Sequence, residues 1–287
     1  KLIDTQEEVH RICDFFLTNK ILSLDTETTS TNPMEAELVG LSFAVEPKKA
    51  FYVPVPANRK DAINLVKIFK PIYENEEIVK VGQNIKYDME VLRNYGIELK
   101  GPMFDTMIAH YVLQPELRHN MDYMAEVYLN YQTIHIEELI GERGKNQKNM
   151  RDLAPTDIYE YACEDADITL QLKNVLEPKL KEAGVADLFY QMEMPLVNVL
   201  AEMEMNGVRI DTEALKETSE NFTKRMLDLE HQIHELAGEP FNVSSPKQVG
   251  DILFGKLNIA EKPKKTKTGQ FVTSEEELQK YAAGNEI

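Results

Sequence analysis

Ile21-Leu22-Ser23-Leu24-Asp25-Thr26-Glu27-Thr28 decides the fold of this chain. The apolar start of the octet predicts a buried strand. Strand side chains alternate between faces, so Ser23, Asp25 and Glu27 share one face while Leu22, Leu24 and Thr26 share the other. Two neighbouring carboxylates on one face of a core strand repel each other and lose hydration. Each unpaired buried charge costs on the order of several kcal/mol. A divalent cation removes that penalty, and hard cations choose oxygen ligands. A fraying strand end would also tolerate two acids, so the octet alone leaves both readings open.

Working outward, residues 38–45 and 51–55 read as two further strands, 61–74 as a helix and 78–81 as another strand. Gly82 then turns the chain into a helix over about 84–95, stopped by Gly96. Further helices are expected near 105–113, 121–129 and 155–183. Strands followed by helical crossovers predict an α/β fold with a mixed sheet flanked by helices. The character changes after about residue 190, and two domains are expected, 1–190 and 191–287. The second reads as mostly helical and truncated. Asn206-Gly207 is a turn, 212–237 a long amphipathic helix ending before Gly238, Ser245-Pro246 a cap with proline at the first helical position, and Ser274-Glu275-Glu276-Glu277 a capping box.

Two more carboxylates stand where apolar residues belong. The helix at 84–95 has Ile85, Met89 and Leu92 on its apolar stripe, and Asp88 falls inside that stripe. On the long helix, Ile158, Tyr161, Asp165, Ile168 and Leu172 share one face. Asp165 is mid-helix, which removes an N-cap explanation. Tyr161 precedes it by one turn, so its hydroxyl reaches the same place. Four acids without Cys or His ligands point to magnesium or manganese rather than zinc. Two such ions about 4 Å apart form the clamp used for phosphodiester displacement.

With 287 residues and 43% hydrophobic content the chain can bury a real core, and its net charge of -17 argues against bulk electrostatic gripping of duplex nucleic acid. Any polyanion contact would be local. Arg143-Gly144-Lys145-Asn146-Gln147-Lys148-Asn149-Met150-Arg151 and Lys262-Pro263-Lys264-Lys265-Thr266-Lys267-Thr268-Gly269 each carry four positive charges. Each reads equally as a solvated loop. No apolar run approaches the roughly 20 residues of a membrane helix. Cys13 and Cys163 are too few for a disulfide framework, so a reducing cytoplasm is expected. A start at Lys1 without a signal peptide suggests an excised fragment or a processed product.

These motifs resemble the DEDD superfamily of 3′–5′ exonucleases, which is RNase H-like. They are Leu24-Asp25-Thr26-Glu27-Thr28, Val81-Gly82-Gln83-Asn84-Ile85-Lys86-Tyr87-Asp88 and Tyr161-Ala162-Cys163-Glu164-Asp165-Ala166-Asp167. The tyrosine four positions before the last aspartate is the DEDDy pattern; Glu160 stands where the other subtype has histidine. Phe104-Asp105-Thr106-Met107, Arg118-His119-Asn120-Met121-Asp122, Met192-Glu193-Met194-Pro195-Leu196, Asn206-Gly207-Val208-Arg209-Ile210-Asp211 and Phe241-Asn242-Val243-Ser244-Ser245-Pro246 extend the resemblance to bacterial family A DNA polymerases. The proofreading domain would be followed by the start of the polymerase domain.

The resemblance implies that Asp25, Glu27 and Asp165 hold the ion carrying the attacking water. Asp25 would bridge to a second ion, which Asp88 reaches through water, and Tyr161 would orient the nucleophile. Gln83, Asn84 and Tyr87 would contact terminal nucleotides, although Asn84 reads equally as a helix cap. Arg118 resembles a phosphate contact and Met107 an apolar surface for a frayed base. Lys262, Lys264, Lys265 and Lys267 resemble the tip of the thumb, touching the duplex backbone. Two departures bear on substrate affinity. Thr31 replaces an apolar wedge, a role Met34 could take, and Ile136 replaces an aromatic that stacks on bases. The implied activity is editing of single-stranded or frayed 3′ ends by a monomeric cytoplasmic, nucleoid-associated enzyme. An RNA-trimming nuclease similar to RNase D and a non-catalytic DNA-holding module are the alternatives.

Overall fold

The computed structural model describes residues 1–287. β1 (Ile21–Thr28), β2 (Leu38–Glu46), β3 (Lys49–Pro54), β4 (Val79–Gly82) and β5 (Met103–Asp105) form one sheet in the order β3-β2-β1-β4-β5. β1 pairs antiparallel with β2 and parallel with β4, so the expected mixed sheet is observed. The β1–β2 register places Ser23 opposite Ala44, Asp25 opposite Ser42 and Glu27 opposite Gly40. It shifts between Glu27 and Thr28, an irregularity that re-aims the strand end beside the acid pair.

The helices are α1 (Gln6–Leu17), α2 (Arg59–Ile68), α3 (Lys70–Tyr73), α4 (Ile85–Arg93), α5 (Thr106–Leu113), α6 (Met121–Met124), α7 (Ile136–Ile140), α8 (Pro155–Glu182), α9 (Ala186–Leu188) and α10 (Met194–Asn206), followed by α11 (Thr212–Ala237), α12 (Pro246–Gly250) and α13 (Glu275–Leu278). The single helix expected over 61–74 divides at Phe69, because the turn that follows is restarted with Pro71 in its first positions. Strand β5 and helix α1 go beyond the sequence expectation. α1 is an ordinary amphipathic helix capped by Thr5, whose hydroxyl accepts from the Glu8 backbone N–H at 3.3 Å.

The two faces of the sheet differ in chemistry. Leu22, Leu24, Leu41, Phe43 and Val53 build one face and are all essentially buried. Phe43 stacks on Phe69 at 5.2 Å and meets Phe16 at 5.1 Å between ring centroids. The other face carries Ser23, Ser42, Ala44 and Gly40, and α8 packs across β1, β2 and β3. Ala44 meets Ala166 and Leu170 of α8, and Tyr52 packs with Ile158 and Ala162. Small residues on both sides let the helix lie close. Gly40 has no freedom to grow, because a Cβ there would fall 2.1 Å from the Tyr52 ring.

The chain divides into two compact units, Lys1–Gly207 and Val208–Ile287. The division lies at 207/208 rather than near residue 190 because α10 belongs to the first core. Met194, Val197 and Ala201 are buried there, and Lys86 of α4 pairs with Glu204. In the second unit Gly238 ends α11 at φ 73°, and the Ser245 hydroxyl accepts from the Gln248 N–H. The expected capping box at 274–277 does not form. Ser274 makes no side-chain cap, and Glu277 binds Lys280 and Tyr281 instead. The terminal helix is short, ending at Leu278, with a single 3₁₀ turn at Ala282–Gly284. No helix is long and apolar enough to cross a membrane, and both cysteines are free.

Candidate active site

Three acids from two distant segments converge where β1 ends. One carboxylate oxygen from each of Asp25, Glu27 and Asp165 lies within 4.8 Å of the others. Strand alternation aims the first two at α8, and the helical period brings Asp165 down onto them. Glu27 and Asp165 are each only 6% exposed. Glu27 Oε1 and Asp165 Oδ1 have no hydrogen-bond partner at all. Burial is the main force on each. It raises Asp25 to about 6. It raises Glu27 well above the ordinary range, reinforced by Asp25, Asp165 and Asp88, with no basic side chain opposing. Asp165 is likewise raised by burial and then by Asp25. Three carboxylates this close, Asp25 half-buried and the other two buried with bare oxygens, match the donor set of a hard divalent cation.

Asp88 approaches from the other side of the strand. Its Oδ1 accepts a 2.6 Å hydrogen bond from the Thr26 hydroxyl, and Thr26 belongs to the leucine-bearing face. It therefore stands next to the trio rather than within it, although burial and then the Asp25 charge raise its pKa too. Tyr161 lies one turn before Asp165 on α8. Burial first, then Asp165, Glu27 and Asp25, push its phenol far above the ordinary value, so it stays a neutral hydroxyl facing the acids.

A cleft of about 520 Å³ opens over these groups, and Gln83, Asn84, Tyr87, Asp88, Tyr161 and the trio line it. Gln83 is fixed at both ends, donating to the His119 carbonyl at 2.8 Å and accepting from Thr106. The Tyr87 hydroxyl is tied to Thr28 and to the Ser30 carbonyl. Asn84 occupies the N-cap position of α4 but makes no capping hydrogen bond, and its backbone is left-handed at φ 63°. The capping reading of its side chain is therefore overturned. The cap comes instead from Asp105, which accepts from the Ile85 N–H at 2.7 Å and from Met107 and Ile108 at the start of α5. One buried carboxylate thus fixes two helix N-termini. Sequence reasoning assigns Asp105 no role; the signal available was an aspartate between a strand and a helix.

The remaining expected contacts disperse. Thr31 and Ile136 line the cleft, whereas Met34, Met107 and Arg118 do not. Met107 is half-buried, and Arg118 is exposed. Lys262, Lys264, Lys265 and Lys267 are exposed in the second unit, on a hairpin closed by the Thr266 N–H to Gln270 carbonyl bond at 2.8 Å. Lys265 lies 4.7 Å over the Phe271 ring.

Residues 1–181 match the family model described as 3′–5′ exonuclease, and residues 212–287 match that of DNA polymerase family A. The chain belongs to the 3′–5′ exonuclease family. Among its relatives, DNA polymerase I of Pseudomonas aeruginosa is 40% identical over 273 residues, covering 92% of this chain and 30% of that protein. DNA polymerase I of Rhizobium leguminosarum is 38% identical over 288 residues, covering 92% and 28%. The chain spans less than a third of the length of these curated relatives. A solved structure of the POL domain of Pol1 from M. smegmatis, in complex with DNA primer-template and dNTP, superposes with a TM-score of 0.77 at 21% identity, covering 99% of this chain and 45% of that one. Brucella melitensis NrnC superposes with a TM-score of 0.56 at 21% identity, covering 72% and 92%. At such identities the likeness shows a shared fold, and the RNase H-like architecture agrees with the sheet described above.

Proposed function

We propose that residues 1–190, with α10 docked on them, remove nucleotides from the 3′ end of single-stranded or frayed DNA, as the editing part of a DNA polymerase I. The observation that carries this is the trio of converging carboxylates, two of them buried with bare oxygens, next to a neutral tyrosine. In the reaction a water oxygen attacks the terminal phosphorus. The bond to the 3′ oxygen of the preceding nucleotide breaks, and that oxygen takes the proton as the new 3′ hydroxyl. A nucleoside 5′-monophosphate is released.

Asp25, Glu27 and Asp165, with Asp88 beside them, would hold two divalent ions, magnesium or manganese. Such ions acidify the attacking water and neutralise charge at the leaving oxygen. Tyr161 orients the water through its hydroxyl. Gln83, Asn84 and Tyr87 hold the terminal nucleotides, and Arg118 and Met107 guide the strand. Melting costs less at a mismatched end, so such ends enter the cleft more often. Residues 208–287, beyond α10, begin the polymerase domain, with Lys262, Lys264, Lys265 and Lys267 on duplex phosphates at the thumb. The protein works as a monomer in the cytoplasm, at the nucleoid, without polymerase activity in this stretch alone.

The test is digestion of a 5′-labelled single-stranded oligonucleotide in magnesium. Progressive 3′ shortening, abolished by chelation, supports the assignment; an intact substrate refutes it. Faster cleavage of ribo than deoxy substrates would favour the RNA-trimming reading. Templated extension would contradict the absence of polymerase activity.

A further inference from the structure

The acidic cleft has to receive a polyanion, yet its carboxylates, amides, hydroxyls and apolar side chains offer that polyanion no positive charge. Lys148 supplies one. It is the only lysine or arginine among the residues lining the cleft. It is exposed, and it forms no ion pair with any of the acids below it.

The segment that carries Lys148 is anchored on both sides. The Lys148 N–H donates to the Ile140 carbonyl at 2.8 Å. The Asn149 amide donates to the Thr29 carbonyl at 2.7 Å, just past the end of β1. Met150 is buried, and the Arg151 guanidinium donates to the Val55 carbonyl at 2.7 Å and to the Leu38 carbonyl. Arg151 is thereby committed to the sheet and is not free for ligand. Three of the four charges of this basic segment thus separate by role. Arg151 is a staple, Lys145 is exposed and does not line the cleft, and Lys148 is exposed and lines it.

We propose that Lys148 is a substrate contact, pairing with a backbone phosphate of the single strand entering the cleft. This rests on the exonuclease reading and adds to it the group that draws an anionic strand toward buried acids. A mobile lysine on a free loop would lose more side-chain and loop freedom on pairing; here the backbone is already fixed.

The experiment uses the whole chain in four forms: wild type, Lys148→Ala, Lys148→Arg and Lys145→Ala. Binding of a 5′-labelled oligothymidylate is followed by fluorescence anisotropy with chelator present, and turnover is measured in magnesium. Lys148→Ala is expected to raise Kd and KM about tenfold with kcat within about twofold. Its plot of log Kd against log salt should flatten by about 0.7, the share of one single-strand phosphate. Lys148→Arg should restore both values, and Lys145→Ala, with the same loss of charge, should match wild type. Equal behaviour of Lys148→Ala and Lys145→Ala would overturn the assignment. If wild type bound the strand without shortening it, the exonuclease reading would fail, while the binding arm would still decide the role of Lys148.

Discussion

The two faces of strand β1 do opposite work. Leu22 and Leu24 point into an aromatic and aliphatic layer that includes Phe16, Phe43 and Phe69. Ser23, Asp25 and Glu27 point toward α8, where small residues such as Ala44 and Ala166 let the helix approach and Asp165 meets the strand acids. One face supplies burial of apolar surface, the main favourable force in folding. The other gathers carboxylates that oppose folding until a cation joins them. The difference teaches that a single strand can hold a destabilised site in place because its reverse side is anchored by packing.

Asp25→Ala is the sharpest test of that division. It should lower exonuclease activity by about 10³-fold, or ~4 kcal/mol of barrier, while leaving the metal-free protein no less stable. Digestion assays together with thermal melts check both halves; a large drop in Tm would show that the acid face also supports the fold. On the reverse face, Leu24→Ala should cost about 3 kcal/mol in urea unfolding. A loss below about 1 kcal/mol would mean that this layer is not where stability resides.

Gly40→Ala probes the small-residue face itself. The added methyl would meet the buried Tyr52 ring, and overpacking should cost about 2 kcal/mol. Unchanged unfolding would show that the Tyr52 ring can move aside without loss of packing. Tyr161→Phe removes only a hydroxyl. A rate loss of about tenfold, ~1.4 kcal/mol, is expected with Mn²⁺ binding intact by calorimetry; lost metal affinity would reassign the tyrosine.

The smallest effect concerns pH. The folded-state pKa of Asp25 is raised to about 6 from 3.8. A carboxylate raised by folding contributes stability that is fully present below its unfolded value and is lost as pH rises through the folded one. Asn cannot titrate. In chelator, the Tm advantage of Asp25→Asn over wild type should therefore grow by a few degrees from pH 4 to pH 7. A constant gap would mean that folding leaves this carboxyl unperturbed.

Much of the acidic cluster was legible from local periodicity. Alternation put Asp25 and Glu27 on one face, and the helical repeat put Asp165 among Ile158, Ile168 and Leu172, all of which are buried. The repeat also placed Asp88 on an inward stripe, where it is 2% exposed. It did not say which side of the sheet that stripe meets. Asp88 reaches the site through Thr26, a residue of the opposite face. Asn84 illustrates the same limit. Its position at the start of a helix suited a cap, but a carboxylate 21 residues later performs that task for Ile85.

By itself the amino-acid sequence determined the mixed α/β class, the acids turned toward the core and the family to which the chain belongs, because each depends on spacing within one element or one motif. Only the tertiary structure decided that α10 joins the first unit, that Asp105 caps two helices and that Lys148 overlooks the acids while Arg151 is spent on the sheet. Those facts depend on contacts between residues far apart along the chain, and the closeness of such residues is set by packing rather than by any local repeat.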